Sequence, residues 1–261
     1  MVEHGLILVP LGWLVAGAAV LGAVIGSFLG AALGRLPEGR SIVTGRSACD
    51  GCGKALTVTE LVPVLSWLVQ RGKCRTCGGA IGAWQLGCEL GGALVGIGAV
   101  LAAREGLVLA AMVLGWQLLL LALLDLRHLW LPRALVTWLA VSGAAVAAAA
   151  AWRAGSIDPL LIAVTGAVLG FGMLWLIARF YLKARGREGM GAGDPPLLGA
   201  IGLWLGPLGV IETMLGASIV GIVVAIVMHV SKRKVAADTA LPLGTCLAAT
   251  AWPLFLLQGL G

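Results

Sequence analysis

Long apolar runs, separated by short polar or glycine-proline breaks, dominate this chain. Eight of them reach or approach the roughly 20 residues needed to cross a bilayer as a helix. They cover 6–34, 84–103, 106–124, 134–152, 159–181, 195–208, 210–230 and 240–258. The sixth is short and glycine-rich, and only Gly206-Pro207-Leu208-Gly209, a turn signal, parts it from the seventh. Residues 35–83 form the one sizeable polar, basic interruption. The pattern predicts an all-α polytopic membrane protein of about eight transmembrane helices. It divides into a first helix over 1–34, a small cysteine-bearing loop domain over 35–83, and a helical core over 84–261.

Composition removes the soluble alternative. The 261 residues are 60% hydrophobic and 11% charged, whereas a soluble domain carries about a quarter charged residues. Such a chain cannot cover its surface with charge, so that surface must face lipid. Forty glycines suit closely packed membrane helices. Met1-Val2-Glu3-His4-Gly5 lacks the basic start of a secretory signal, so the first run is expected to be a retained helix.

The net charge of +6 gives an orientation. With the N-terminus outside and all eight runs spanning, 16 of the 18 Lys and Arg fall on the inner side, leaving Arg104 and Arg153 outside. Cytoplasmic loops carry such an excess. No basic stretch is interleaved with aromatic residues, so nucleic acid is not an expected partner, whereas the lipid bilayer is.

The loop over 35–83 is too small for an ordinary core without a staple. Cys49-x2-Cys52 and Cys74-x2-Cys77, with glycines in both knuckles, have the spacing of a structural four-thiolate Zn2+ site. Two disulfides are the alternative, disfavoured by a reducing cytosol. Cys88 and Cys246, inside apolar runs, are expected to be ordinary buried residues.

Of the twelve acids, Glu3, Glu38, Asp50, Glu60, Glu105, Asp158, Glu188 and Asp238 fall in predicted loops. Glu89, Asp125, Asp194 and Glu212 lie in or beside apolar runs, where an acid is costly and marks a candidate site. Asp125 ends the third run and Asp194 precedes the sixth, both on the predicted inner side. Paired there, one carboxylate would activate water while the other, protonated, polarises an amide carbonyl. Glu89 is a candidate auxiliary group, and Glu212 sits at the other depth. Pro195 suits a first helical turn and would make Asp194 an N-cap. Taken singly, Asp194 could serve as a helix cap and Asp125 as a partner of Arg127 or Arg133.

Gly191-Ala192-Gly193-Asp194 resembles the GxGD motif of membrane aspartyl proteases. Combined with Asp125…Pro132, the paired cysteine motifs, Gly26-Ser27-Phe28 and Arg35-Leu36-Pro37, it is similar to the type IV prepilin peptidases over residues 20 to 250. That resemblance implies a bacterial inner-membrane endopeptidase. It would remove the basic leader of prepilins or secretion pseudopilins after a Gly at the cytoplasmic face, with Asp125 and Asp194 catalytic and Gly191, Gly193 and Pro132 supporting them. It also implies S-adenosylmethionine as methyl donor in members that N-methylate the new terminus. Gly30 stands where members commonly have Asn, and Pro196 where they often have Lys. Competing readings are an ion-coupled transporter using the acids as a relay, and a non-catalytic scaffold built on the zinc loop. The sequence assigns neither the oligomeric state nor the individual pilin.

Overall fold

The computed structural model describes residues 10–42, 44–49, 51–104, 106–187, 189–230 and 241–258. Glu3, His4, Asp50, Glu105, Glu188, Asp238, Lys232, Arg233 and Lys234 lie outside the described residues, as does the side chain of His229. The described chain is helical, and its extended pairing is limited to isolated bridges, Ala48 with Ala55 and Lys73 with Ala80.

The long helices are α1 (Leu11–Arg35), α3 (Ala83–Ala102), α4 (Val108–His128), α5 (Arg133–Ala154), α6 (Asp158–Arg185) and α7 (Asp194–Val230). Each is long and apolar enough to cross a membrane. A shorter apolar helix, α8 (Leu243–Gln258), closes the described chain, and a five-residue helix, α2 (Leu65–Val69), lies between α1 and α3. The large side chains left exposed, such as Leu14, Val20, Trp138 and Ile219, are lipid-facing surface.

α7 contains the expected turn between the sixth and seventh runs. Gly206 has φ 69° and ψ −175°, outside helical space, and Pro207 follows it. Side-chain neighbours show that the backbone reverses there. Phe255 stacks edge-on against Trp204 in the first arm, with centroids 5.7 Å apart. Along the second arm, Gly209 lies beside Gln258 and Gly216 beside Thr250. The first arm therefore runs with α8 and the second against it. Six helices are long enough to span; counting the two opposed arms of α7 separately and adding the shorter α8 gives eight apolar helical segments among the described residues, matching the eight runs.

The chain forms two compact units, one up to Val108 and one from Leu109 onward. In the first, α1 packs along α3 through small residues spaced four apart: Ala18, Gly22 and Gly26 against Cys88, Gly92 and Gly96. A Cβ at Gly92 would fall on the Gly22 carbonyl, and one at Gly22 on the Gly92 carbonyl. Backbones this close gain dispersion contacts and exclude lipid. Gly92→Leu is expected to cost at least the roughly 1–3 kcal/mol of core overpacking. It should lower the thermal unfolding midpoint in detergent, whereas Leu94→Ala, on the lipid-exposed side of α3, should barely move it.

In the second unit, α6 packs on the first arm of α7 through Gly166, Gly170, Gly199 and Gly202. The Trp204 indole N–H donates to the Leu139 carbonyl of α5 at 2.9 Å, and that of Trp252 on α8 to the Ala111 carbonyl of α4 at 2.9 Å. These bonds satisfy indoles inside an apolar bundle and tie α7 to α5 and α8 to α4.

Candidate active site and metal cluster

Asp125 is in the last turn of α4 and is 5% exposed. α4 stops three residues later, where Leu129 takes φ 49° with its N–H on the Asp125 carbonyl at 2.8 Å. That turn sends the chain back through Leu131 to Pro132, the N-cap residue of α5. The Asp125 carboxylate is held from α8. Its Oδ2 accepts the Thr245 backbone N–H at 2.8 Å and lies 3.2 Å from Thr245 Oγ1, which is also 2.8 Å from the Ala122 carbonyl. A Cβ on Gly244 would come within 3.0 Å of Asp125 Oδ2, so the backbone can approach this closely because position 244 is glycine.

Asp194 opens α7 and is also 5% exposed. Its N–H donates to the Gly191 carbonyl at 3.1 Å, and its Oδ2 accepts the Gly191 N–H at 3.1 Å, closing a four-residue turn. The expected N-cap role shifts by one residue, because the Leu197 N–H bonds the Gly193 carbonyl at 3.1 Å. Pro195 and Pro196 have no N–H to offer a cap, so the carboxylate bonds backwards. A Cβ at Gly193 would lie 2.7 Å from Leu131 Cβ, and one at Gly244 3.1 Å from Leu131 Cδ1. Leu131 is thus wedged between the GxGD turn and the start of α8. Gly193 precedes Asp194 and Gly244 lies against the Asp125 carboxylate, so their shared neighbour Leu131 brings the two carboxylates to one place in the fold.

Sequence reasoning passed over Gly244, Thr245 and Leu131. The available signal was Pro242-Leu243-Gly244-Thr245 before the last apolar run, a glycine and a hydroxyl at a helix start. Thr245→Val keeps the N–H bond to Asp125 and removes the hydroxyl. That hydroxyl is shared between the Ala122 carbonyl and the Asp125 carboxylate, so its removal loosens the carboxylate and should lower the catalytic rate several-fold. Thr245→Ser should restore it, with peptide cleavage as the readout.

Glu89 and Glu212 are not in this cluster of contacts. Glu212 is exposed on the second arm of α7. Glu89, 4% exposed in the first unit, accepts the Val64 N–H at 2.7 Å and the Gln85 side-chain amide at 3.1 Å. Gln85 also reaches the Ser27 carbonyl and hydroxyl, each at 3.2 Å. A side chain at Gly30 would run into the Gln85 carboxamide, so on α1 glycine is the residue that fits. Cys88 and Cys246 are buried within helices as expected.

Cys49, Cys52, Cys74 and Cys77 come together, with all four Sγ atoms within 4.8 Å of one another. Cys49 and Cys77 Sγ are 3.8 Å apart. That is the edge of a sulfur tetrahedron about a metal at roughly 2.3 Å, about 3.8 Å, so the donor set fits a divalent metal. All four remain free thiols, not disulfides. Backbone N–H groups of Cys77 and Thr76 draw the Cys74 thiol down to about 6. At Cys77 the Gly79 N–H pulls the same way, but the crowding thiols outweigh it and push the group up to about 11. Four thiols held this close resist full ionisation together until a cation neutralises them.

A bundle of apolar helices with two buried carboxylates at the ends of two of them defines a multi-pass membrane protein. The Bacterial Peptidase A24 N-terminal domain matches residues 20–103, and the Type IV leader peptidase family matches residues 112–226. The chain is 35% identical to a prepilin leader peptidase/N-methyltransferase of Burkholderia pseudomallei, over 92% of this chain and 84% of the relative. It is 34% identical to one from Pseudomonas putida, over 90% and 88%. It is 33% identical to the type 4 prepilin-like proteins leader peptide-processing enzyme of Escherichia coli O78:H11, over 93% and 94%. No solved structure matches. The chain belongs to the type IV leader peptidase family and is a peptidase. The two matched regions fall on either side of the division at Val108.

Proposed function

We propose that this enzyme is a membrane aspartyl endopeptidase. In this reading it removes the basic leader of type IV prepilins or secretion pseudopilins after a Gly at the cytoplasmic membrane face. The observation that carries it is the convergence of Asp125 and Asp194, both buried, each accepting bonds from backbone N–H groups. Two adjoining carboxylates hold one proton between them. The ionised partner takes a proton from water as the water attacks the scissile carbonyl, and the protonated partner hydrogen-bonds the developing oxyanion. The tetrahedral intermediate then collapses with proton return to the leaving amine. Gly193 makes room for Leu131 and Gly191 for the Asp194 carboxylate, so both glycines support the position of Asp194, and Pro132 fixes the exit of the turn carrying Leu131.

The lopsided distribution of Lys and Arg supports a cytoplasmic site and loop. A basic leader would stay in that compartment while its apolar helix enters the bilayer, presenting the cut at the interface. The four cysteines would hold a structural Zn2+, with every coordination position filled by sulfur. N-methylation of the new terminus with S-adenosylmethionine is supported by the names of the relatives. The test is mass spectrometry of a purified prepilin incubated with the reconstituted enzyme, with and without labelled S-adenosylmethionine. A cut after Gly directly before the apolar helix supports the reading; cleavage elsewhere, or none, overturns it. Methyl transfer is read in the same spectra.

A further inference from the structure

The stretch between the two cysteine knuckles, read from the sequence as part of a polar loop, carries an exposed apolar face. Val58, Leu61, Val62, Leu65, Leu68 and Val69 are all exposed, three of them at 65, 68 and 69 on one side of α2. The one charge within 58–69 is Glu60, and it is turned inward. Its Oε2 accepts the Thr57 N–H at 2.9 Å and the Thr57 hydroxyl at 2.8 Å, Lys54 lies 3.8 Å from Oε1, and its side chain is 5% exposed. These groups hold its carboxyl below the usual range, first through the Thr57 N–H. Twelve residues thus show no charge outward, while Lys54, Arg71, Lys73 and Arg75 flank them, all exposed.

A second observation fixes where this face lies. Val64, a β-branched residue at φ 61°, donates its N–H to Glu89 at 2.7 Å. Such a φ is a strained conformation for valine and persists because surrounding contacts enforce it. Glu89 is the seventh residue of α3, about 9 Å along the helix from Ala83 at 1.5 Å per residue. α3 has 20 residues, about the 30 Å of a bilayer core and no more. Val64 is therefore tied beside a membrane helix below its first two turns, and the ends of the loop are fixed by α1 and α3.

We infer that residues 58–69 form an interfacial anchor whose apolar face enters the same bilayer leaflet that α1 and α3 leave, with the flanking Lys and Arg on anionic lipid headgroups. The pairing of a bare apolar face with a cationic rim is what such a surface binds. The Glu89 carboxylate is then a positioning residue that holds the anchor at depth. The inference does not depend on the peptidase reading.

The test is the full chain, zinc-loaded, in bilayers of phosphatidylethanolamine and phosphatidylglycerol containing a phospholipid with a diazirine high on its acyl chain. After irradiation, adducts are mapped by mass spectrometry. Adducts on 58–69 are expected, reduced several-fold in Leu65→Asp/Val69→Asp with adducts on α6 and metal content unchanged. If the double variant loses metal, Leu65→Ser/Val69→Ser provides the same comparison. Wild-type protein labelled along α1 and α3 but bare at 58–69 would overturn the inference. So would loss of those adducts on saturation with a prepilin peptide, which would assign the face to substrate.

Discussion

Asp125→Asn and Asp194→Asn, each inserted at wild-type levels, will each lower prepilin cleavage by about 10²–10⁴-fold, the span of a general acid–base contribution. Asn keeps the size of each side chain and its place in the lattice of bonds: the Thr245 N–H can still donate to an amide oxygen at 125, and the Gly191 N–H to one at 194. What is lost is the ability to carry the shared proton. Because the pair works as a unit, the double variant should be little worse than either single one. A variant that folds, inserts and still cuts at a substantial rate removes the dyad and leaves the scaffold reading. Cleavage of a prepilin in isolated membranes, normalised to enzyme content, is the measurement.

Purified protein will contain about one zinc per chain, and Cys74→Ser will lose it. Cys74 is the most buried of the four and is tied to both sides of its knuckle, its N–H bonding the Gly79 carbonyl at 2.8 Å and its carbonyl accepting the Gly78 N–H at 2.9 Å. Between α1 and α3 the described loop has few buried side chains and short helices, so a metal bound by the four cysteines would supply most of its order. Structural zinc in small peptides contributes about 10–16 kcal/mol at neutral pH. Chelation should therefore open the segment between Leu36 and Gly82 to protease while the long helices stay intact. Elemental analysis together with limited proteolysis reads both effects; a metal-free preparation with an uncut loop and full activity would refute the zinc assignment.

Much of this architecture was legible because lipid imposes a simple rule on sequence. Eight apolar runs became eight apolar helical segments, two of them short, and Gly206-Pro207 marked the reversal, since a positive φ and a missing N–H break a helix wherever they fall. Asp125 and Asp194 stood out because charge is scarce in such runs. Their setting was harder to read. The clamp on Asp125 comes from Thr245, 120 residues away, and a Thr within an apolar run has no periodicity to announce it. Leu131 looks like any leucine until two glycines make room for its side chain. Residues 58–69 are split by Pro63 into pieces too short to register as a periodic helix, so their apolar face emerged only from the inward turn of Glu60. Gly30 became intelligible through Gln85, a contact across 55 positions that no local pattern encodes.

Two helices next to the carboxylates are short for the membrane they occupy. The first arm of α7, from Asp194 to Leu205, is twelve residues, or about 18 Å, and the 16 residues of α8 reach about 24 Å, against a hydrocarbon thickness of about 30 Å. Lipid answers such a mismatch by thinning around the short element. Thinning around these two elements would bring the headgroup region, and the water within it, closer to Asp125 and Asp194. Hydrolysis within a membrane requires a supply of water, and such thinning would deliver it: adding one turn to α8 or to that arm is expected to lower peptidase activity with both carboxylates in place.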